Sequence, residues 1–177
     1  MSRLTSLIVA LSVFATLAAS GATNAEGSKP TDPQIAHIAY TAGVIDIKAA
    51  QQALQKSRNK EVREFAQDMV RDHTSVNDQA LALCKKLGVT PEDNATSKSL
   101  VQQADAERTK LGVLDGAAFD KAYAENEVAY HKGVNGALET TLIPSATNPE
   151  LKSLLSTGLK IFQGHEAHAE TLAAGLK

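Results

Sequence analysis

Apolar positions recur every three or four residues along four long stretches of this 177-residue chain. That is the spacing of helices that bury one face, and no run alternates at the two-residue period of a strand. The first stretch opens at Thr31-Asp32-Pro33, where Asp32 can cap and Pro33 suits the first turn, and runs to about Lys56. The second starts after Asn59 and covers Lys60 to Leu87, with Gly88 as a stop signal and Pro91 preventing continuation. The third starts after Asp115 and covers Gly116 to about Ile143, ahead of a break at Pro144 to Thr147. The fourth opens at Asn148-Pro149-Glu150, a cap, a first-turn proline and an acid that complements the helix dipole, and ends near Gly175. A weaker pattern from about Ser97 to Leu111, with Leu100, Val101, Ala104 and Leu111 on one face, predicts a peripheral helix between the second and third stretches.

Four helices of about 24 to 28 residues span roughly 36 to 42 Å at 1.5 Å per residue. Short links join the first to the second and the third to the fourth, whereas the middle link is long. The expected architecture is therefore all-α, a ferritin-like four-helix bundle with an extra short helix in the long connection between helices 2 and 3.

Each apolar stripe is interrupted near mid-helix by a residue that resists burial. Asp46 sits among Ile35, Ala39, Ala42, Ala49, Ala50 and Ala53 on the first helix. His73 shares a face with Val62, Ala66, Met69, Val76, Ala80, Cys84 and Leu87 on the second. His131 lies with Val128, Val134, Leu138 and Leu142 on the third, with Glu127 one turn earlier. His165 is read with Leu151, Leu154, Gly158, Ile161, Ala169, Leu172 and Leu176 on the fourth, while His37 is expected to face solvent. Mid-helix residues meet in one layer whether neighbouring helices run parallel or antiparallel. The layer predicted is Asp46, His73, His131 and His165, with Glu127 and His168 beside it.

Burying such groups costs free energy unless each finds a partner. Two readings are open. In one, Asp and His pair in a hydrogen-bond network completed by water and need no cofactor. In the other, imidazoles and carboxylates hold a transition metal such as copper, zinc or iron, and His165 and His168, three residues apart on one helix, can share it. A di-iron centre of the Glu and Glu-x-x-His type does not fit: Phe162 stands three residues before His165, and Glu127 is four residues from His131.

Composition narrows the remaining choices. Arg3, the apolar run Leu4 to Ala19 and the small residues through Ala25 have the order of a secretory signal peptide, assigning residues 1–25 to export and 31–176 to the bundle domain. No later segment has the length of a transmembrane span. A net charge of −2 gives no footprint for nucleic acid. The lone Cys84 excludes an internal disulfide and lies on an apolar stripe. Phosphate loops, nucleophile elbows and CxxC pairs are absent from the sequence.

The chain resembles a bacterial family described as domain of unknown function 4142, whose members often carry an outer-membrane label. The likeness rests on Asp46, on Gln55-Lys56-Ser57, on the segment Val62-Arg63-Glu64-Phe65-Ala66-Gln67-Asp68-Met69-Val70-Arg71-Asp72-His73, on Gly116 to Tyr123, and on His131 and His165. It implies an export signal and a ferritin-like bundle. Asp46 stands where the family usually has Glu, and Tyr130 where an acidic residue is common.

The leading expectation is an exported periplasmic or secreted bundle, soluble or peripheral to the outer membrane, without catalysis of its own and serving envelope stress or metal handling. The alternatives are a metalloprotein or redox protein using the central layer, and a helical module that docks on another envelope protein.

Overall fold

The computed structural model describes residues 29–176, so the expected signal peptide lies outside the described residues. The long helices are α1 (Asp32–Lys56), α2 (Lys60–Leu87), α4 (Gly116–Ala137) and α6 (Pro149–Gly175). Helix α3 (Ala95–Gly112) lies in the long connection, and α5 (Ile143–Ser145) is a single turn. Capping residues set the boundaries. Asn59 and Asn148 each accept two backbone N–H groups, and Asn94 forms a reciprocal capping box with Ser97 that starts α3 slightly earlier than its apolar pattern suggests. Gly88 closes α2 in the left-handed region at φ 64°, which a side chain would disfavour.

Contacts at the helix ends fix the topology. The Glu92 N–H donates to the Pro33 carbonyl, so α2 ends beside the start of α1. Helix α3 then runs parallel to α1: the Gln52 amide donates to the Arg108 carbonyl, and Lys56 donates to that of Gly112. Lys56 also pairs with Asp115 at the start of α4. At the other end Asp32 accepts from the backbone and hydroxyl of Thr147 and from the Asn148 N–H. The result is two antiparallel hairpins, α1–α2 and α4–α6, joined by a strap across the bundle. This is the ferritin-like arrangement with one long crossover.

The third long helix is expected to run unbroken to Ile143, and here the structure differs. Helix α4 stops at Ala137, and Leu138–Leu142 forms a π-helical turn before α5. The Thr140 hydroxyl donates to the Gly136 carbonyl, competing with the regular ladder, and Pro144 has no N–H to restore it. The wider turn keeps both Leu138 and Leu142 buried.

The interior consists of two apolar clusters. One contains Val62, Phe65, Ala66, Met69, Phe119, Tyr123 and Leu172. The other contains Ile35, Ile38, Val134, Leu138, Leu151, Leu155 and Phe162. Between them lie Asp46, His73, Glu127, His131 and His165, all buried. Cys84 is free and buried, as its stripe position suggests. His37 departs from expectation: it is half-buried, with Nδ1 shielded and without a hydrogen-bond partner.

Helices α1 and α2 are in close contact where Gly43 meets Asn77. A Cβ on Gly43 would collide with the Asn77 amide. Gly43→Ala should therefore lower stability. Overpacking costs about 1–3 kcal/mol, offset by up to about 1 kcal/mol of helix propensity. Urea unfolding checks this, and the loss should largely vanish in the Gly43→Ala/Asn77→Ala double variant, where the colliding amide is gone.

Candidate metal centre

Each of the four long helices contributes to one layer at similar depth. Asp46 comes from α1, His73 from α2, Glu127 and His131 from successive turns of α4, and His165 from α6. The three imidazole rings form a nearly equilateral triangle, with centroids 5.3 Å (His73–His165), 5.4 Å (His131–His165) and 5.7 Å (His73–His131) apart. Asp46 Oδ2 lies 3.4 Å from Nε2 of His73 and 3.4 Å from Nε2 of His131. Glu127 Oε2 is 3.6 Å from His131 Nδ1. Two overlapping donor sets result, His73–His131–His165 and Asp46–Glu127–His131, each with ligand atoms within 4.8 Å of one another.

Two outer hydrogen bonds orient the rings. His131 Nδ1 is 3.0 Å from the Glu127 carbonyl, so this nitrogen carries the proton and Nε2 presents its lone pair to the layer. His165 Nε2 is 3.1 Å from Asp72 Oδ2, which leaves Nδ1 as the free nitrogen. His73 is oriented by packing instead: its ring stacks on Phe162 at 4.5 Å and 8°. Inside the layer no imidazole hydrogen-bonds to a carboxyl group. Both oxygens of Asp46 and of Glu127, both nitrogens of His73, Nε2 of His131 and Nδ1 of His165 are buried without a hydrogen-bond partner.

Burial dominates the electrostatics. It pushes His73 down to about 3, helped by neighbouring His165, and His131 down to about 4, against the opposing pull of Asp46. Both rings are therefore neutral, the form that binds metal. Burial also raises Asp46, and it raises Glu127 well above the ordinary carboxylate range, with the nearby Asp46 charge adding to the effect. Glu127 is the proton holder of this acid–carboxylate pair. Tyr123, whose buried hydroxyl also lacks a partner, is raised by burial and by Glu127 and Asp46.

Sequence periodicity brings five of the six expected residues to this point. His168 lies outside the layer. It is exposed, packs edge-on against Phe65 at 5.0 Å, and borders a surface cleft with Glu61, Glu64 and Asp68. One turn beyond His165 the inward position belongs to Ala169. Leu151, Gly158, Ala169 and Leu172 of the expected α6 stripe are buried, but at two positions burial falls one residue later: Leu155 and Phe162 are buried, whereas Leu154 and Ile161 are only partly so. Phe162, Asp72 and Tyr123 are the residues that stripe-reading overlooked. Phe162 could have been found from the heptad Leu151, Leu155, Gly158, Phe162, His165, Ala169, Leu172.

Residues 17–172 match the family described as Domain of unknown function (DUF4142). The chain belongs to that family. No curated protein matches the DUF4142 chain in sequence. Among solved structures it is similar to a DUF305 fragment from Deinococcus radiodurans, with a TM-score of 0.69 at 15% identity, covering 83% of this chain and 99% of that one. A DUF305 protein from Streptomyces coelicolor gives a TM-score of 0.68 at 16% identity, covering 80% and 90%. CopM in its Cu(II)-bound form gives 0.63 at 13% identity, covering 85% and 100%. These likenesses establish the helical fold of the DUF4142 chain. Among the described residues no helix is long and apolar enough to cross a membrane.

The pKa shifts give the metal-free protein a defined pH response. His73 and His131 are depressed from 6.5, so the stability tied to their neutral forms is full above that value. It is lost as pH falls through it towards the folded values. Glu127 acts in the opposite sense: its contribution is present below the ordinary 4.5 and lost as pH rises through the raised folded value. Glu127→Gln, permanently neutral, should abolish only the alkaline loss. In chelator, its stability relative to wild type should grow as pH rises above about 4.5, by at most about 1.4 kcal/mol per pH unit. Urea melts across that range measure it, and a pH-independent difference would contradict the assignment of the proton to Glu127.

Proposed function

We propose that the central layer binds one divalent late-transition-metal cation, copper(II) or zinc(II). The ligands are Nε2 of His73, Nε2 of His131, Nδ1 of His165 and Oδ2 of Asp46, with Glu127 as an adjacent carboxylate. The protein then serves metal handling in the cell envelope, to which the signal-like N-terminus directs it.

The observation that carries this reading is the pair of 3.4 Å separations between Asp46 Oδ2 and the two Nε2 atoms. Ligand atoms about 2.0–2.1 Å from a tetrahedral metal are separated by roughly 3.4 Å along each edge. The same distances are long for a hydrogen bond, and none of the three atoms makes one. The ring triangle agrees: three imidazoles on one metal place their centroids about 5.2–5.5 Å apart for tetrahedral to trigonal angles. Neutral imidazoles with one carboxylate suit copper or zinc, whereas magnesium and calcium require oxygen-rich shells. The order of divalent affinities places copper first, and a protein of this fold, CopM, has been solved with Cu(II) bound.

Titration of purified, chelator-treated protein with Cu(II) and Zn(II) should give one equivalent bound. At a hundredfold excess over the dissociation constant, bound metal adds about 2.7 kcal/mol. For a domain of this size that raises Tm by roughly 5–11 °C. His73→Ala or His131→Ala should abolish both binding and the metal-dependent rise. A closed hydrogen-bond network predicts otherwise: His73→Ala would cost about 1–3 kcal/mol irrespective of metal. Identical wild-type melts in chelator, copper and zinc would sink the metal reading.

A further inference from the structure

The five buried side chains are not equally enclosed. Asp46, His73, Glu127 and His131 are 0–2% exposed, whereas His165 is 7% exposed and forms the solvent-side edge of the layer. Its Nε2 reaches outward to Asp72, which sits on α2 beside His73 but points off the apolar stripe and is partly exposed. Asp72 is itself fixed. Arg71 grips both of its oxygens, through Nε at 2.7 Å and an Nη at 3.0 Å, while its other Nη holds Asp68 at 2.6 Å. A guanidinium in this bidentate arrangement keeps the carboxylate planar and oriented. Meanwhile the other ring nitrogen, His165 Nδ1, is buried and unpartnered, and His165 belongs to the His73–His131–His165 donor set.

We infer that Asp72 is the positioning residue of the layer: its carboxylate, clamped by Arg71, holds His165 as the Nε2–H tautomer and turns Nδ1 inward as a ligand. The inference rests on the metal reading above and deepens it. The other two rings already have their orienting contacts, the Glu127 carbonyl for His131 and the Phe162 face for His73. His165 is the ring whose orientation depends on a side chain at the surface. Without Asp72 the imidazole has no protein acceptor for Nε2–H, only water. Both tautomers then become populated, and the ring can swing toward solvent. The ligand lost first is also the outermost one, so release of the cation accelerates more than capture slows.

The test compares wild type, Asp72→Ala and Asp72→Asn, all checked for folding by circular dichroism. Nitrogen-15 histidine spectra of the metal-free proteins report the His165 tautomer directly. Wild type should show protonated Nε2 and bare Nδ1, and Asp72→Ala a mixture. Asp72→Asn should retain the wild-type form, because its amide oxygen still accepts. Zinc(II) release into a chromophoric chelator gives the second readout. Affinity should fall about 10–100-fold in Asp72→Ala, the range typical for loss of an outer-shell partner, mainly through faster release. The Asn variant should fall between the two. An unchanged tautomer, or a changed tautomer with unchanged zinc affinity, would overturn the role given to Asp72. Failure of wild type to bind zinc or copper at all would instead defeat the metal reading, and the tautomer spectra would still judge the orienting contact.

Discussion

The structure depends on burying five ionisable side chains between two apolar clusters, with the imidazoles making no hydrogen bond to the carboxyl groups they face in the layer. Moving a carboxylate out of water costs several kcal/mol even after relaxation. The chain meets that cost partly by neutralisation: His73 and His131 are held uncharged and Glu127 retains a proton. Asp46 is the exception, a buried carboxyl facing two imidazole nitrogens that do not hydrogen-bond to it. Two of the rings direct a hydrogen bond outward, His131 to the Glu127 carbonyl and His165 to Asp72, which leaves their other nitrogens buried and unpartnered.

The crossover topology makes such a layer possible. Helix α3 returns the chain along α1, so α4 starts beside the end of α1 rather than beside the end of α2. Helices α2 and α4 consequently run parallel, and their mid-points stay level without a matched hairpin between them. The bundle ends are secured separately, by Lys56 with Asp115 at one end and by Asp32 with Thr147 and Asn148 at the other. These attachments prevent the helices from sliding. A one-turn slip would move a side chain of the layer by about 5.4 Å and dissolve it.

Most of this was legible in the sequence because helix phase and depth are both periodic quantities. Caps at Asn59 and Asn148 and the stop at Gly88 set helix lengths, and lengths set mid-points. Phase then brought Asp46, His73, Glu127, His131 and His165 inward. What failed was finer than a helical stripe can resolve. On α6 two adjacent registers are both apolar, so Leu154 and Ile161 competed with Leu155 and Phe162, and His168, next to the inward Ala169, came within reach of the layer by spacing alone. The π turn at Leu138–Leu142 depends on one hydroxyl–carbonyl contact and a proline, neither of which alters periodicity. Asp72 was hidden because its role is to reach around the edge of a helix face.

The reach of Asp46 into the layer depends on the same geometry. Its side chain is short, so α1 must approach the layer closely. Two contacts bring it there. Gly43, one turn before Asp46, lies directly against Asn77, one turn after His73, and the missing side chain lets α1 and α2 close together. From the opposite side, the Tyr130 hydroxyl donates to the Ala42 carbonyl at 2.7 Å, tying α4 to α1 beside His131. Tyr130 thus tethers α4 to α1 without adding a negative charge to an already crowded layer. The short carboxylate and the tyrosine clamp are complementary: together they place Asp46 Oδ2 equidistant, at 3.4 Å, from the two Nε2 atoms.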